Sequence, residues 1–154
     1  MTTEVIAEFA DGEYRFWLAM PQVVAFERDH GSIIDFWGKL SEGIGIDSAG
    51  LFKFIGPSGP TVPAMRDLVR LALIGGDHGI VDGSEVEMGP IKAKQLVDEY
   101  CFPVRPIEEL AALAFRIVDA AVRGVKLEGG QKKSPETSDQ KPSAEEPSSQ
   151  TVDS

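Results

Sequence analysis

The sequence predicts an α+β fold, in which an N-terminal β-hairpin packs on a mainly helical bundle and a disordered C-terminal tail follows. Three observations predict it. Two short apolar runs flank Ala10-Asp11-Gly12-Glu13 near the start, and apolar residues then recur at three- and four-residue spacings from Pro21 to Arg123. Beyond Glu128 the chain turns to Ser, Pro, Glu, Lys and Gln, a composition that cannot bury enough apolar surface to offset the entropy of ordering its backbone. The expected division is therefore a folded domain over residues 1–128 and a disordered acidic Ser/Pro-rich tail over residues 129–154.

Asp-Gly is a strong hairpin cue, because a two-residue type I′ loop needs positive φ at both central positions. With Asp11 and Gly12 as the loop, Val5 faces Leu18, Ala7 faces Phe16 and Phe9 faces Tyr14 on one apolar side. The other side pairs Glu8 with Arg15 and Ile6 with Trp17. A lone hairpin is marginal in water, so its apolar face must cover a helix.

The first helix opens at Pro21, carries Val23 and Phe26, and stops at His30-Gly31. Ser32 caps the second, whose stripe is Ile33, Phe36, Trp37 and Leu40, with Asp35 favouring the positive end of the helix dipole. From Glu42 to Pro63 glycines and prolines dominate, and the segment reads as a long loop around one helical turn that contains Leu51, Phe52, Phe54 and Ile55. A third helix begins at Pro63, with Met65, Leu68, Val69 and Ala72 on one face and Gly75-Gly76 at its end. Asp77 to Met88 reads as irregular.

Pro90 opens a fourth helix with Ala93, Leu96, Val97 and Tyr100 on its stripe, and Pro103 closes it. Pro106 opens the fifth, with Ile107, Leu110, Ala111, Ala114, Ile117, Val118 and Ala121 on one face. Glu108 and Glu109 lie in its first turn, Arg123 in its last, and Gly124 follows, so charge, caps and periodicity agree. At about 18 residues, or about 27 Å, this helix is the expected spine of the domain and the expected partner of the hairpin.

Composition narrows the function. The full chain carries 15 basic and 25 acidic residues, a net charge of −10, which argues against a phosphate-coating, nucleic-acid-binding surface. No run approaches the length of a membrane span. Cys101 is the single cysteine, as expected in a reducing compartment, and Met1 to Phe9 lacks the basic and apolar blocks of a secretory leader. A cytoplasmic protein is expected.

Candidate chemistry is sparse. Asp77, His78, Asp82, Glu85 and Glu87 are the only grouping from which an oxygen-rich metal site could be assembled, and their spacing matches no defined ligand geometry. A small metal-dependent enzyme using Asp77, His78 and Glu85 is the alternative from the catalytic class. Gly43-Ile44-Gly45-Ile46-Asp47 follows a helix pattern and lacks the third glycine of a dinucleotide loop. Gly56-Pro57-Ser58-Gly59-Pro60 lacks the Lys-Ser/Thr ending of a phosphate loop. Cys101, between Tyr100 and Phe102, reads as a small buried hydrophobe. Candidate partner-binding residues are Trp37, Phe52, Phe54 and Ile55, since exposed apolar clusters mark interaction surfaces.

A set of short motifs in order adds a family resemblance. Gly12-Glu13-Tyr14-Arg15 in the hairpin is followed by Glu27-Arg28-Asp29-His30-Gly31-Ser32, Ile74-Gly75-Gly76 and Ala93-Lys94-Gln95-Leu96-Val97-Asp98-Glu99-Tyr100. Arg105-Pro106-Ile107-Glu108-Glu109-Leu110 and Ala120-Ala121-Val122-Arg123-Gly124 complete the set. Over about Glu4 to Val125 the chain resembles the gene transfer agent tail-protein family, whose members resemble the tail assembly chaperones of long-tailed bacteriophages and are sometimes labelled tail tube proteins. The chain departs from that pattern in Ser41 to Pro63, Asp77 to Met88 and the tail.

The resemblance implies a non-catalytic chaperone that binds the tape-measure protein and tail tube subunits during tail morphogenesis, with no cofactor and no catalytic residues to carry over. An apolar groove taking an amphipathic helix is the expected binding mode, and homo-oligomerisation is left open. A structural tube protein retained in the particle is the alternative within the same family.

Overall fold

The computed structural model describes residues 1–54 and 59–126, and for Phe52 and Phe54 the backbone alone. The predicted tail and the candidate residue Ile55 lie outside the described residues. Residues 3–124 form one unit. In the other, Thr2 and Val125 exchange two backbone hydrogen bonds, of 2.9 and 2.7 Å.

The fold is α+β, with an N-terminal antiparallel hairpin and five helices among the described residues. Strands β1 (Val5–Phe9) and β2 (Gly12–Phe16) form the hairpin, and helices α1 (Met20–His30) and α2 (Ile33–Gly43) follow. Next come β3 (Ile44–Ile46), β4 (Phe52–Phe54) and helix α3 (Val62–Gly76). Strands β5 (Gly79–Val81) and β6 (Ser84–Val86) precede α4 (Pro90–Tyr100) and α5 (Ile107–Arg123). One antiparallel sheet has the order β1-β2-β5-β6, and β3 pairs with β4 in a second.

The register of the first hairpin differs from the expected one by two residues. Val5 pairs with Phe16, Ala7 with Tyr14 and Phe9 with Gly12, so Ala10 and Asp11 form the loop, with Ala10 at φ +57°. Gly12 is held inside β2 by packing. A Cβ there would come within 2.3 Å of the Ile80 carbonyl oxygen, so the residue admits the close approach of β5 and is not free to serve the turn. A shift of two preserves the alternation, and Val5, Ala7, Tyr14, Phe16 and Leu18 are all buried as expected. On the outer face Ile6 now opposes Arg15 and Glu8 opposes Glu13, in place of Trp17 and Arg15. Arg15 lies 2.7 Å from Glu4 instead, with its guanidinium over the Trp17 ring.

Two segments expected to be irregular are hairpins. In the first, α2 runs directly into β3, and Ile44, Gly45 and Ile46 pair with Phe54, Lys53 and Phe52. Asp47 makes the reversal, since its carboxylate accepts from the N–H groups of Ala49 and Leu51, both at 2.9 Å, and Gly50 takes φ +83°. In the second, Asp82 and Gly83 take φ +51° and +79°, the paired positive values of a type I′ loop, between β5 and β6. The same Asp-Gly chemistry that suggested the first turn thus builds this one. Asp77, in the left-handed conformation, ends α3, and its carboxylate accepts from the Met88 N–H at 2.8 Å, closing the segment at its base.

The helices follow their caps. Ser32 Oγ accepts from the Asp35 N–H and Thr61 Oγ1 from the Ala64 N–H, each at 3.2 Å, satisfying donors that a helix start leaves open. The central element is α3, not α5. Beyond the predicted face of Met65, Leu68, Val69 and Ala72, it also buries Ala64, Leu71 and Leu73, and it packs against α1, α4, α5 and β2. The hairpin accordingly covers α3. The Trp17 N–H donates to the Ala72 carbonyl at 2.9 Å, and Gly75 and Gly76 let the backbone of β2 lie against the end of the helix. Helix α5 buries Leu110, Ala111, Ala114, Ile117 and Val118 against α2 and α3 and touches β1.

Candidate functional site

An open trough of about 450 Å³ lies between the end of β1, the end of α4 and the first half of α5. Phe9, Tyr100, Cys101, Leu110 and Leu113 supply its apolar surface. The sequence places each of them for a local reason. Phe9 ends the inner row of β1, Tyr100 ends the α4 stripe, and Leu113 flanks the buried stripe of α5. Phe9 meets Tyr100 edge to face with ring centroids 6.3 Å apart, and it meets Phe16 similarly at 5.7 Å, which joins the trough to the core.

Charge lies on the rim, at Glu8, Arg105, Glu109 and Arg116. Arg105 Nε donates to Glu109 Oε1 at 2.7 Å, one helical turn along, and this carboxylate holds the guanidinium above its ordinary pKa. Asp119, the acidic residue nearest Arg116 along α5, instead accepts from Trp37 Nε1 at 2.9 Å and lies 4.0 Å from Arg123. Among the described residues Arg116 makes no ion pair.

Cys101 lies in the trough wall and is 3 % exposed. Burial pushes its thiol up to about 11, outweighing the opposing effect of Arg66, so at neutral pH it is protonated and a poor nucleophile. Tyr14 is buried and donates to Asp11 Oδ1 at 2.5 Å; desolvation and then this bond raise the phenol well above its usual value.

A second depression, of about 460 Å³, lies where α1, α3 and α4 meet. Its charges are matched to one another. Asp67 takes His30 at 2.9 Å and Arg70 at 2.6 Å, while Asp98 takes Arg66 at 2.5 Å and Lys94 at 2.6 Å. The Lys94 hydrogen bond, followed by the contribution of Arg66, holds the Asp98 carboxyl below the usual range against desolvation. Arg66 also donates to the Phe102 carbonyl, so this cluster ties three helices together. Among the described residues no three His, Cys, Asp or Glu side chains are disposed to hold a metal ion, and Asp77 is engaged by the Met88 amide.

Of the sequence-derived partner-binding residues, Trp37 does not line the trough. Trp37 is half-buried against the core and bridges α2 to α5 through Asp119. Phe52 and Phe54 lie on β4, whose backbone runs beside α5, and among the described side chains of that hairpin Ile46 and Leu51 are exposed. Sequence reasoning placed Phe9 and Tyr100 in the core and passed over Leu113 and Arg116. The trough joins segments some hundred residues apart, so no spacing in the sequence announces it.

Compared with known proteins, the chain matches no protein-family model, no curated protein and no solved structure. Among the described residues, no helix is long and apolar enough to cross a membrane.

Proposed function

We propose that the protein is a non-catalytic tail assembly chaperone of the phage or gene-transfer-agent type, acting in the host cytoplasm. It binds the tape-measure protein and tail tube subunits while the tail assembles. The observation that carries this reading is the open trough, where aromatic and aliphatic side chains gather under a charged rim, as at surfaces that take a partner's apolar residues. The ordered motifs of the sequence support the resemblance to that family, and a net charge of −10 suits a protein that must stay soluble with exposed apolar surface. The sheets support a chaperone over a tube subunit, since β3 to β6 are three residues each, short for a closed ring of strands.

The test is capture on the full chain, and on a chain lacking residues 129–154, from cells that express the neighbouring genes. The reading predicts recovery of a long helical tape-measure protein or a tube subunit. Recovery of neither, with the chain abundant in finished particles, assigns it to the particle structure instead.

A further inference from the structure

The backbone hydrogen bonds of β2 fix which main-chain groups of β1 face the open edge of the sheet. The Arg15 N–H donates to the His78 carbonyl at 3.0 Å, so on β2 the main-chain groups of Arg15 point toward the β5 side. Main-chain groups alternate between the two sides along an antiparallel strand. Tyr14 therefore faces β1, and its partner Ala7 faces back, which turns the N–H and C=O of Ile6 and Glu8 to the other edge. That edge ends the sheet, and among the described residues no backbone hydrogen bond reaches it. Glu8 is also a wall of the trough.

An open strand edge facing a helix across an apolar floor is matched by an extended chain, which supplies main-chain partners that a helix has already used internally. Phe9, Tyr100 and Leu113 give the trough an apolar floor. Two trough charges have no ion pair among the described residues: Glu8, which is exposed on the outer face of β1, and Arg116 on the α5 side. Arg116 is the cation left for an occupant, because Glu109 is engaged by Arg105 and Asp119 by Trp37. In a protein this acidic, a cation left over beside an apolar floor is complementary to a carboxylate.

We infer that the β1 edge and α5 form a strand-addition groove for an extended peptide segment, which pairs with the main chain of Glu8, seats an apolar side chain on Phe9 and Leu113, and places a carboxylate on Arg116. The inference rests on the proposed reading in taking the trough as the protein-binding site, but it does not depend on which protein supplies the segment.

The experiment is a fluorescence-anisotropy titration of the full chain with a labelled hexapeptide of alternating threonine and leucine that ends in a free carboxylate. Three further probes are its C-terminal amide, its N-methylated backbone analogue and a helix-forming peptide of alanine, leucine, lysine and glutamate. The carboxylate probe binds; amidation or Arg116→Gln weakens it about three- to tenfold, and N-methylation weakens it about tenfold or more. Arg116 is exposed, and an unchanged thermal midpoint for the variant shows that its fold is intact.

Stronger binding of the helical probe, or indifference to N-methylation, overturns the inference. So does absence of binding by any probe. Binding that emerges only after removal of residues 127–154 assigns the groove to the chain's own end and overturns a separate partner. Capture of a tape-measure protein that Arg116→Gln leaves unchanged overturns this inference while the assembly reading stands; failed capture alongside carboxylate-dependent peptide binding does the reverse.

Discussion

Replacing Gly76 by alanine reverses the sign that helix propensity alone gives. Within a helix, Gly→Ala ordinarily stabilises by about 0.5–1 kcal/mol, because glycine loses more backbone freedom on folding. Gly38, in the middle of α2, meets nothing within 4 Å of an added Cβ, so Gly38→Ala should show that gain in full. At Gly76 an added Cβ lies 1.9 Å from the Arg15 carbonyl oxygen and 2.6 Å from its carbon. Ordinary contact requires the strand to retreat by about 1.5 Å. That movement strains the Trp17-to-Ala72 and Arg15-to-His78 backbone bonds, now 2.9 and 3.0 Å, which join β2 to the end of α3 and to the chain just beyond it. Overpacking costs about 1–3 kcal/mol and each weakened bond about 1 kcal/mol, against a helical gain of at most about 1 kcal/mol. The net expectation is a loss of about 2–4 kcal/mol. Equilibrium urea unfolding of both variants reads this directly, with a midpoint lowered by about 1–2 M for Gly76→Ala and raised for Gly38→Ala at unchanged slope. A Gly76→Ala protein as stable as the parent would refute the close approach of β2 to α3, and with it the assignment of the hairpin to that helix.

Phe16→Ala empties a fully buried site between the sheet and α3 and should cost about 3–5 kcal/mol in the same urea assay; a change near zero would contradict that packing. Gly83→Ala forces a Cβ into φ +79° in the β5–β6 loop and should cost about 1–2 kcal/mol, whereas an unchanged midpoint would rule out the type I′ turn. The Cys101 thiol titrates near 11 in the folded state against an ordinary value near 9, so the folded form holds the extra proton between those values. The stability this contributes is complete below pH 9 and lost as pH rises through 11, and Cys101→Ala should flatten that part of the profile; an identical alkaline profile in the variant would remove Cys101 as its source. Native protein should also resist iodoacetamide at pH 8 and react once unfolded, which a thiol count by mass spectrometry checks.

The helices were legible because each carries several agreeing signals. Ser32 caps α2 as read, and the acidic start and basic end of α5 fit its dipole. The hairpin face was legible for a different reason: a two-residue change of register leaves every side chain on its own side, so the burial of Tyr14 and Phe16 survived an incorrect loop. The short hairpins were hidden because three residues are too few to display a period of two, and glycines used for close packing look the same in sequence as glycines used for turning. Gly12 and Gly83 illustrate the two cases, one against the Ile80 carbonyl and the other at positive φ. The hairpin's helix was misassigned because α5 has the cleaner amphipathic stripe, whereas α3 buries residues on more than one face and so shows a weaker stripe while occupying the centre.

The trough was not legible for a related reason. Phe9 and Tyr100 carry the pattern of core residues, and only the meeting of the β1 edge with α4 and α5 leaves them lining a surface. Trp37 lies on the apolar stripe of α2, and its indole N–H donates to Asp119, joining α2 to α5.

The most direct test of the account is photo-crosslinking from a benzophenone side chain placed at Leu113 in the full chain, carried out in cells assembling particles and read by mass spectrometry. The account predicts an adduct to the tape-measure protein or a tube subunit in assembling cells, and absence of the chain from purified particles. No adduct to either, with the chain present in particles at the abundance of a tube subunit, would contradict it.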